Sequence, residues 1–466
     1  MKKRTLISVA VLAAGLLSAG MVQAQAEQYL VVAVGNDLSQ TQVRAVQQAG
    51  GQILKVFPQI GVAVATAEDP AFAARAKGIT GIQSVVPDPI AYPASEPEPL
   101  SYEMGSGGGS PIPKNPNLRE LQWGLQAIQA PDAWALGFTG KGVRVAVIDT
   151  GIMTQHPDLV RNLNLELSKS LVPGETVEFI PMRDTGSHAT LVAGVIAAAD
   201  DNLGITGVAP DAEIVVIKII SDRVRLLQVS WILEAILYAA DIHADVANLS
   251  LAFWSAKSDP DWWEPVDVAY SVAVRAVNYA QQRGTLVVAA AGNDSVNFDG
   301  AGNFVQFPRD LPGVIGVAAT APRDCWAYNP SVALDWPAPY TSYGQRVIDL
   351  AAPGGNLDFA LPWQPVTLAG ITQPAFVFNM VITSSTSFGP AGKFEKQGTW
   401  NFAYGTSLAA PHVCGVAALA IQSHGGNLTP AQLKTILQQS ADDLGKPGND
   451  DFYGAGRVNA LRAVLQ

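Results

Sequence analysis

The sequence predicts an α/β fold, in which a large domain with a doubly wound parallel sheet follows a small α+β domain. Three observations support this. Within residues 118–466, apolar runs of strand length alternate with apolar segments of helix length, which is typical of a parallel sheet covered on both faces. Residues 27–91 carry shorter elements in a different order. Between them, residues 92–117 are rich in Pro, Glu, Gly and Ser and cannot build a core.

Residues 1–24 have the pattern of an export signal. Three basic residues at positions 2–4 precede an apolar run from Leu6 to Ala19, and residues 22–24 offer small side chains for cleavage. The run is too short to span a membrane. We therefore expect a secreted, extracellular protein, and no membrane anchor, because no other stretch reaches a spanning length without charges or helix breakers.

The small domain reads as β-α-β-β-α-β. Its expected strands are 28–34, 52–56, 60–65 and 82–86, and its expected helices are 39–48 and 69–76. This order is that of a ferredoxin-like domain. Standing alone, such a unit could be a binding module.

The large domain alternates strands and helices. Its strands are expected near 143–149, 213–219, 245–251, 285–291, 313–318 and 347–350, and its helices near 188–199, 225–240, 266–282, 408–422 and 430–439. Thr429 and Pro430 have the N-cap and first-turn positions of the last helix. Because the carboxyl ends of parallel strands meet at one edge of a sheet, polar residues that follow these strands should gather there.

Composition excludes some partners. The chain has 466 residues, 48% of them hydrophobic and 15% charged, and a net charge of −11, which argues against nucleic acid and anionic membranes. Two cysteines exclude a disulfide-built scaffold. Cys414 is expected as a buried free thiol in a helix, and a disulfide with Cys325, in a predicted loop, stays open as the alternative.

Ser407 is placed to react. The string Gly-Thr-Ser-Leu-Ala-Ala-Pro-His-Val (405–413) sets this serine on the first turn of a long apolar helix, behind a glycine turn. The N–H groups and partial positive charge of a helix N-terminus stabilise negative charge that develops beside the hydroxyl. A serine that merely caps the helix is the alternative.

Two further residues complete a candidate triad. Asp149 ends the apolar strand at 143–149, and His188 opens an apolar helix. A serine nucleophile, a histidine base and a buried carboxylate are the parts of a nucleophilic triad. Of the five histidines, His188 fits best, because His412 follows Ser407 by five positions on the same helix and points about 140° away.

Asn293 follows the strand expected at 285–291. Its side-chain amide could donate to an oxyanion beside the backbone N–H of Ser407. The alternative is an asparagine that only forms the turn.

These strings resemble the subtilisin family of serine peptidases, which has the same order Asp149, His188, Ser407. The matching strings are Asp-Thr-Gly-Ile-x-x-x-His-Pro-Asp-Leu (149–159), His-x-Thr-x-Val-Ala-Gly (188–194), Gly-Val-Ala-Pro (207–210), Ala-Ala-Gly-Asn (290–293), Gly-Thr-Ser-x-Ala-Ala-Pro-His-Val (405–413) and Tyr-Gly-x-Gly-x-Val-Asn-Ala (453–460). The resemblance runs from about Leu121 to the C-terminus. It implies a serine endopeptidase that acts on polypeptides through an acyl-enzyme, as a monomer and with no cofactor for the chemistry.

The resemblance also implies roles for other segments. An extended substrate would pair with Ser250, Leu251 and Ala252, and Ala290 and Gly292 would line the primary side-chain pocket. Residues 27–91 would be a propeptide that assists folding and blocks the cleft as an intramolecular inhibitor. Maturation cleavage would fall within residues 92–117.

Some positions depart from the family pattern. Ala189 stands where a glycine usually follows the histidine, and Ala252 and Phe253 stand where two glycines are frequent. Because these changes reshape the cleft, one alternative is a narrow processing protease that acts on a partner precursor. A second alternative is an inactive subtilisin-like binding protein. Residues 254–264, with three tryptophans, are expected to form a surface loop or a subsite wall. The long connection 355–400 is expected to insert a β-hairpin or subdomain near the site.

A structural calcium ion is a weaker expectation. Asp158 and the turn 200–204 occupy places where some family members bind one, and such oxygen ligands suit calcium. Arg119 falls where another oxygen ligand would be expected, which counts against the ion. A solvated acidic turn is the alternative.

Overall fold

The structure is a computed structural model that describes residues 26–91, 116–181, 186–256, 260–300, 304–357, 363–389 and 393–466. The export signal expected at 1–24 and nearly all of the linker expected at 92–117 lie outside these residues.

The N-terminal domain has the predicted order. Its elements are β1 (Glu27–Ala33), α1 (Gln40–Gln48), β2 (Gln52–Phe57), β3 (Val62–Ala67), α2 (Phe72–Lys77) and β4 (Ile82–Pro87). They form an antiparallel sheet in the order β2-β3-β1-β4. Helix α2 begins later than the expected position 69, because the carboxylate of Asp69 accepts the N–H of Ala71 at 2.9 Å and forms a turn ahead of it.

The remaining chain alternates strands and helices. The elements are β5 (Ile90–Ala91), α3 (Trp123–Ala127), α4 (Ala130–Ala135), β6 (Arg144–Asp149), β7 (Lys169–Ser170), α5 (His188–Ala197), β8 (Glu213–Lys218), β9 (Leu227–Gln228), α6 (Val229–Asp241), β10 (Val246–Leu249), β11 (Phe253–Ala256), α7 (Pro260–Gln282), β12 (Leu286–Ala290), β13 (Phe304–Phe307), β14 (Ile315–Ala321), β15 (Trp336–Pro337), β16 (Leu350–Pro353), β17 (Pro365–Leu368), β18 (Ile371–Pro374), β19 (Val381–Gly389), β20 (Lys393–Ala403), α8 (Thr406–Ser423), α9 (Pro430–Ser440) and α10 (Ala460–Leu465). Short 3₁₀ helices span Arg119–Leu121 and Ala375–Asn379.

The central sheet is predominantly parallel. Its order is β15-β14-β12-β10-β6-β8-β7, β16 pairs in parallel with β14, and the short β15 is antiparallel. Its two faces bury different helices: Val145 and Val147 pack in one core with α5 and α8, whereas Ala146 and Ile148 pack in another with α6 and α7. Alternation along one strand therefore feeds both layers, which confirms the doubly wound α/β fold.

The N-terminal sheet also has two buried faces. Val31 packs with residues of α1 and α2, whereas Leu30, Val32 and Val62 lie in the same core as α6 and α7. The strand β5 leaves this domain and pairs antiparallel with β9, with Ile90 opposite Gln228. That pair explains why the helix expected from position 225 begins at Val229.

Two tryptophan-rich or long segments differ from ordinary loops. The span 254–264 was expected to be a surface loop or a subsite wall. Its described residues belong instead to β11, which pairs with β13, and to the start of α7, where Pro260 occupies the first helical position. The connection 355–400 forms the hairpins β17–β18 and β19–β20, as expected of an insertion. Thr383 of β19 donates to the carbonyl of Leu191 at 2.7 Å, so the second hairpin lies on α5.

Among the residues described, no helix combines the length and apolar character needed to cross a membrane.

Candidate active site

Asp149 and His188 meet at the carboxyl edge of the sheet. Asp149 is the last residue of β6 and is fully buried, and His188 is the first residue of α5. Nδ1 of His188 lies 3.0 Å and 2.8 Å from the two carboxylate oxygens of Asp149. A proton held on Nδ1 by this carboxylate makes Nε2 the basic nitrogen of the ring.

Local hydrogen bonds set this pair. Thr150 accepts the N–H of Ala189 on its hydroxyl at 3.0 Å, which ties the end of β6 to the start of α5. Ser187 caps α5 by accepting the N–H of Thr190 at 3.1 Å, and donates to the carbonyl of Gly151 at 2.7 Å. The methyl group of Ala189 is buried in the core, so this departure from the family pattern is accommodated.

Ser407 lies in the first turn of α8 and is buried. Gly405, with φ of 148°, turns the chain into this helix, and its N–H donates to the carbonyl of Gly354 at 2.9 Å. Ser250 donates its hydroxyl to the carbonyl of Ser407 at 2.7 Å. Helix α8 packs against α5, which carries His188. The hydrogen bond between the hydroxyl of Ser407 and the ring of His188 stays a prediction.

Asn293 reaches the residue before Ser407. The amide oxygen of Asn293 accepts two hydrogen bonds from Thr406, one from its backbone N–H at 2.9 Å and one from its hydroxyl at 3.0 Å. The N–H of Gly292 donates to the same hydroxyl at 3.0 Å. The amide NH₂, at the other end of the group, is the donor that an oxyanion needs. Thr406 was not singled out from the sequence, although it stands beside Ser407 in the Gly-Thr-Ser string.

The residues predicted to bind substrate flank this site. Ser250, Leu251 and Ala252 follow β10 and are buried. Ala290 ends the neighbouring strand β12, which pairs in parallel with β10, and Gly292 follows two positions later. The two segments therefore approach Ser407 from adjacent strands, while their roles in binding substrate stay predictions.

A buried ionic cluster supports the turn after Asp149. Lys218, opposite Asp149 in the β6–β8 register, is fully buried and pairs with Glu175 at 2.8 Å and with Asp222. Asp222 accepts the N–H of Gly151 at 3.2 Å. Sequence reasoning missed this cluster, whose only local signal is a charge at the end of an apolar strand.

Two other histidines are excluded as bases by burial. Burial lowers the pKa of His156 and of His412 to about 4, so both rings are poor proton acceptors near pH 7. Nε2 of His156 is 2.8 Å from the carbonyl of Thr399, and the ring packs against Trp400.

Both cysteines are buried free thiols. Cys414 therefore matches its expectation, and the disulfide with Cys325 is not formed.

Asp158 does not fit a calcium ion. Its carboxylate is fully buried and accepts hydrogen bonds from the indole of Trp400 at 2.5 Å, the hydroxyl of Ser384 at 3.1 Å and the N–H of Ile205 at 3.3 Å. Burial raises the pKa of Asp158 to about 7, although these bonds oppose the shift. Calcium requires about six to eight oxygen ligands, whereas an N–H donor holds this carboxylate.

The turn 200–204 is exposed at Asp200 and filled by an indole at Gly204. A Cβ on Gly204 would lie 2.2 Å from Nε1 of Trp400, so the indole fills the space beside the turn. Asp200 is exposed and pairs with Arg119 at 3.3 Å. The acidic turn is therefore solvated, as the alternative predicted, while Asp158 is held by the inserted hairpin.

Comparison with known proteins agrees with this geometry. Residues 140–456 match the sequence model of the subtilase family. Subtilisin E of Bacillus subtilis (strain 168) is 30% identical over 421 residues, which cover 90% of this chain and 84% of that protein. M-protease of Shouchella clausii (strain KSM-K16) is 33% identical over 346 residues, or 74% of this chain and 70% of that protein.

Solved structures share the fold. The epidermin leader peptide processing serine protease of Staphylococcus aureus has a TM-score of 0.72 at 22% identity, covering 94% of this chain and 98% of that chain. A lanthipeptide protease has a TM-score of 0.58 at 28% identity, covering 75% of this chain and 96% of that chain. The family match spans most of the large domain and includes Asp149, His188, Asn293 and Ser407. The chain belongs to the subtilase family of serine proteases.

Proposed function

We propose that the protein is a secreted serine endopeptidase that uses Asp149, His188 and Ser407 and matures by removing its own N-terminal domain. The observation that carries the proposal is the contact of His188 Nδ1 with both carboxylate oxygens of Asp149, at 3.0 Å and 2.8 Å. His188 opens a helix that packs against α8, and the first turn of α8 carries Ser407. The export pattern at residues 1–24 supports secretion.

The chemistry follows from these groups. The hydroxyl of Ser407 attacks the scissile carbonyl while its proton passes to Nε2 of His188, and Asp149 stabilises the imidazolium. The amide of Asn293 and the N–H of Ser407 bind the oxyanion. His188 then protonates the leaving amine. In the second half of the reaction His188 takes a proton from water as the water attacks the acyl-enzyme, and then returns that proton to the oxygen of Ser407.

Substrate would bind as an extended strand. The segment that directly follows β10, namely Ser250, Leu251 and Ala252, offers backbone groups for pairing with the substrate. Ala290 and Gly292, on the adjacent strand end, would line the primary pocket. The hydrogen bond from Ser250 to the carbonyl of Ser407 supports this placement, since it joins the expected substrate edge to the nucleophile helix.

Residues 27–91 would be the propeptide, and residues 92–117 a linker that contains the maturation bond. Contacts between residues 27–91 and helices of the large domain support the assignment as a propeptide. Arg275 of α7 donates to the carbonyls of Ala33 at 3.3 Å and Ile60 at 3.1 Å, and Lys55 pairs with Glu234 of α6 at 3.0 Å. The β5–β9 pair leads the chain out of the domain along residues that precede α6.

A narrow processing protease for a partner precursor is the second candidate. Phe253, where the family often has glycine, packs on Phe307 with ring centres 5.0 Å apart and leaves less room beside the cleft. Two proteins of similar fold are the epidermin leader peptide processing serine protease and a lanthipeptide protease. Activity on unfolded casein separates the two, because a processing enzyme should show little.

Labelling with a serine-directed fluorophosphonate tests the proposal. The mature protein should be labelled, and Ser407→Ala should abolish labelling. Ser423→Ala, at the far end of the same helix, is the matched control and should be labelled normally. A mature, folded protein that is not labelled would favour an inactive binding protein.

A further inference from the structure

Gln306 lies between the two segments that flank Ser407. It belongs to β13, which pairs with β11 so that Gln306 stands opposite Trp254 and Phe307 opposite Phe253. Strand β11 directly follows Ser250–Ala252 in the chain. Val305 and Phe307 line an apolar pocket together with Phe253, so strand alternation turns Gln306 to the opposite face.

The carboxamide of Gln306 reaches Gly292. A Cβ on Gly292 would lie 2.2 Å from Nε2 of Gln306, so the amide occupies the space that the missing side chain leaves. The backbone of Gln306 is anchored, because its N–H donates to the carboxylate of Asp310 at 2.8 Å and its carbonyl accepts the N–H of Asp310 at 3.0 Å. The side chain is therefore held against the wall formed by Ala290 and Gly292.

The amide is closed to solvent. Gln306 is 0% exposed, and within the part of the chain that the structure describes neither Nε2 nor Oε1 has a hydrogen-bond partner. Buried polar atoms are normally paired with protein or with water. Because the amide already occupies the space beside Gly292, a long substrate side chain would collide with it there.

We infer that Gln306 forms the floor of the primary pocket and restricts the substrate residue at the scissile carbonyl to a small one, namely Gly, Ala or Ser. This inference rests on the proposed endopeptidase function and adds its substrate class. Residues 92–117, where maturation cleavage is expected, contain such residues in abundance, including Ala94, Ser95 and the run 105–110.

A second interpretation is that the amide reads a polar substrate side chain by hydrogen bonding. A glutamine or asparagine of the substrate would then pair with Nε2 and Oε1. The complete burial of both atoms favours the shape interpretation, because a reading group must be reachable. Two substitutions separate them: Gln306→Gly removes the floor, and Gln306→Leu keeps its volume but removes its polar atoms.

The test is a cleavage-site profile of the mature full-length protein on a peptide library, for the natural chain and both variants. The natural chain should cleave after Gly, Ala and Ser. Gln306→Gly should gain about tenfold or more in kcat/KM for Leu and Phe relative to Ala. Gln306→Leu should keep the preference for small residues, whatever its overall rate.

Three results would overturn the inference: efficient cleavage after Leu or Phe by the natural chain, a preference for Gln or Asn that Gln306→Leu removes, or unchanged selectivity in Gln306→Gly. Should that variant fail to fold, Gln306→Ala takes its place, and the profile of the natural chain alone remains decisive. Fluorophosphonate labelling of each variant keeps this test separate from the proposed function, since labelling at Ser407 does not depend on the substrate residue.

Discussion

The indole N–H of Trp400 donates to the buried carboxylate of Asp158 at 2.5 Å. Trp400 belongs to the hairpin β19–β20, which lies between β16 and α8 along the chain, and Asp158 belongs to the string that begins at Asp149. The hairpin thereby holds, with a neutral donor, the carboxylate at which the resemblance implied a structural ion.

Stability should therefore not respond to calcium. The melting temperature of the Ser407→Ala variant, which prevents self-digestion, should be the same in EDTA and in millimolar calcium. Trp400→Phe should lower the free energy of unfolding by about 1–3 kcal/mol, because it leaves the carboxyl of Asp158 without its strongest donor. Calcium should not restore this loss.

Trp363→Phe is the matched control, since Trp363 is 54% exposed and should tolerate the change. A rise of several degrees in the melting temperature on adding calcium to the unaltered Ser407→Ala protein would contradict the assignment.

Asp149→Asn should lower kcat by about 10⁴-fold near neutral pH with little change in KM. The amide would stabilise the wrong tautomer of His188 while preserving the shape of the site. Steady-state kinetics on a peptide substrate measure this, and Asp132→Asn, an exposed carboxylate of α4, should act like the natural chain. An Asp149→Asn enzyme within tenfold of normal would remove Asp149 from the mechanism.

Asn293 and Thr406 should act as one unit. Asn293→Ala should lower kcat by about 10²–10³-fold through loss of the oxyanion donor. Thr406→Val should cost less, about tenfold, because the backbone N–H of Thr406 still holds the amide oxygen of Asn293 at 2.9 Å. Thr435→Val, on the exposed side of α9, is the control. In the double variant the two losses should not multiply; multiplicative losses would show that Thr406 does not position Asn293.

Asp88 should make stability fall as the pH rises from about 4 to about 6. It is buried beside Gln28 at 2.7 Å and the N–H of Ser230 at 3.1 Å, and burial raises its pKa from 3.8 to about 6. The folded state then binds the proton more tightly than the unfolded state, so the contribution is present at low pH and is lost through this window. The loss should reach about 3 kcal/mol.

Unfolding of Ser407→Ala with and without Asp88→Asn, at several pH values, isolates this effect. The comparison is necessary because burial lowers the pKa values of His156 and His412 to about 4. The contribution of these two rings to the stability of the folded protein therefore changes in the opposite direction and is lost as the pH falls below about 6.5. Parallel curves for the two proteins would contradict the role of Asp88.

Local patterns made much of the fold predictable. Thr429 caps α9 as predicted, with Gln432 completing reciprocal bonds to it, and Asp149 and His188 lie at the element ends where the apolar runs predicted them. Such features depend on a few neighbouring residues, so they leave a signal in the sequence.

Contacts between distant segments left no such signal. Trp400 reaches Asp158 across 242 positions, and Gln306 reaches Gly292 through a strand pairing with β11 that no local pattern predicts. Lys218 looked like the polar end of a strand, although it is buried with Glu175 and Asp222. In each case the partner is set by how layers and insertions stack, which local periodicity does not record.

The N-terminal sheet presents Leu30, Val32 and Val62 to the helices α6 and α7 rather than to water. Once cleaved and released, this domain would expose that apolar surface and lose a large part of its buried area. A domain of this small size would then be only marginally stable. The freed domain would then be easily degraded by the enzyme it had covered. Activation would consequently be irreversible, because each freed N-terminal domain that is digested can no longer rebind to the enzyme.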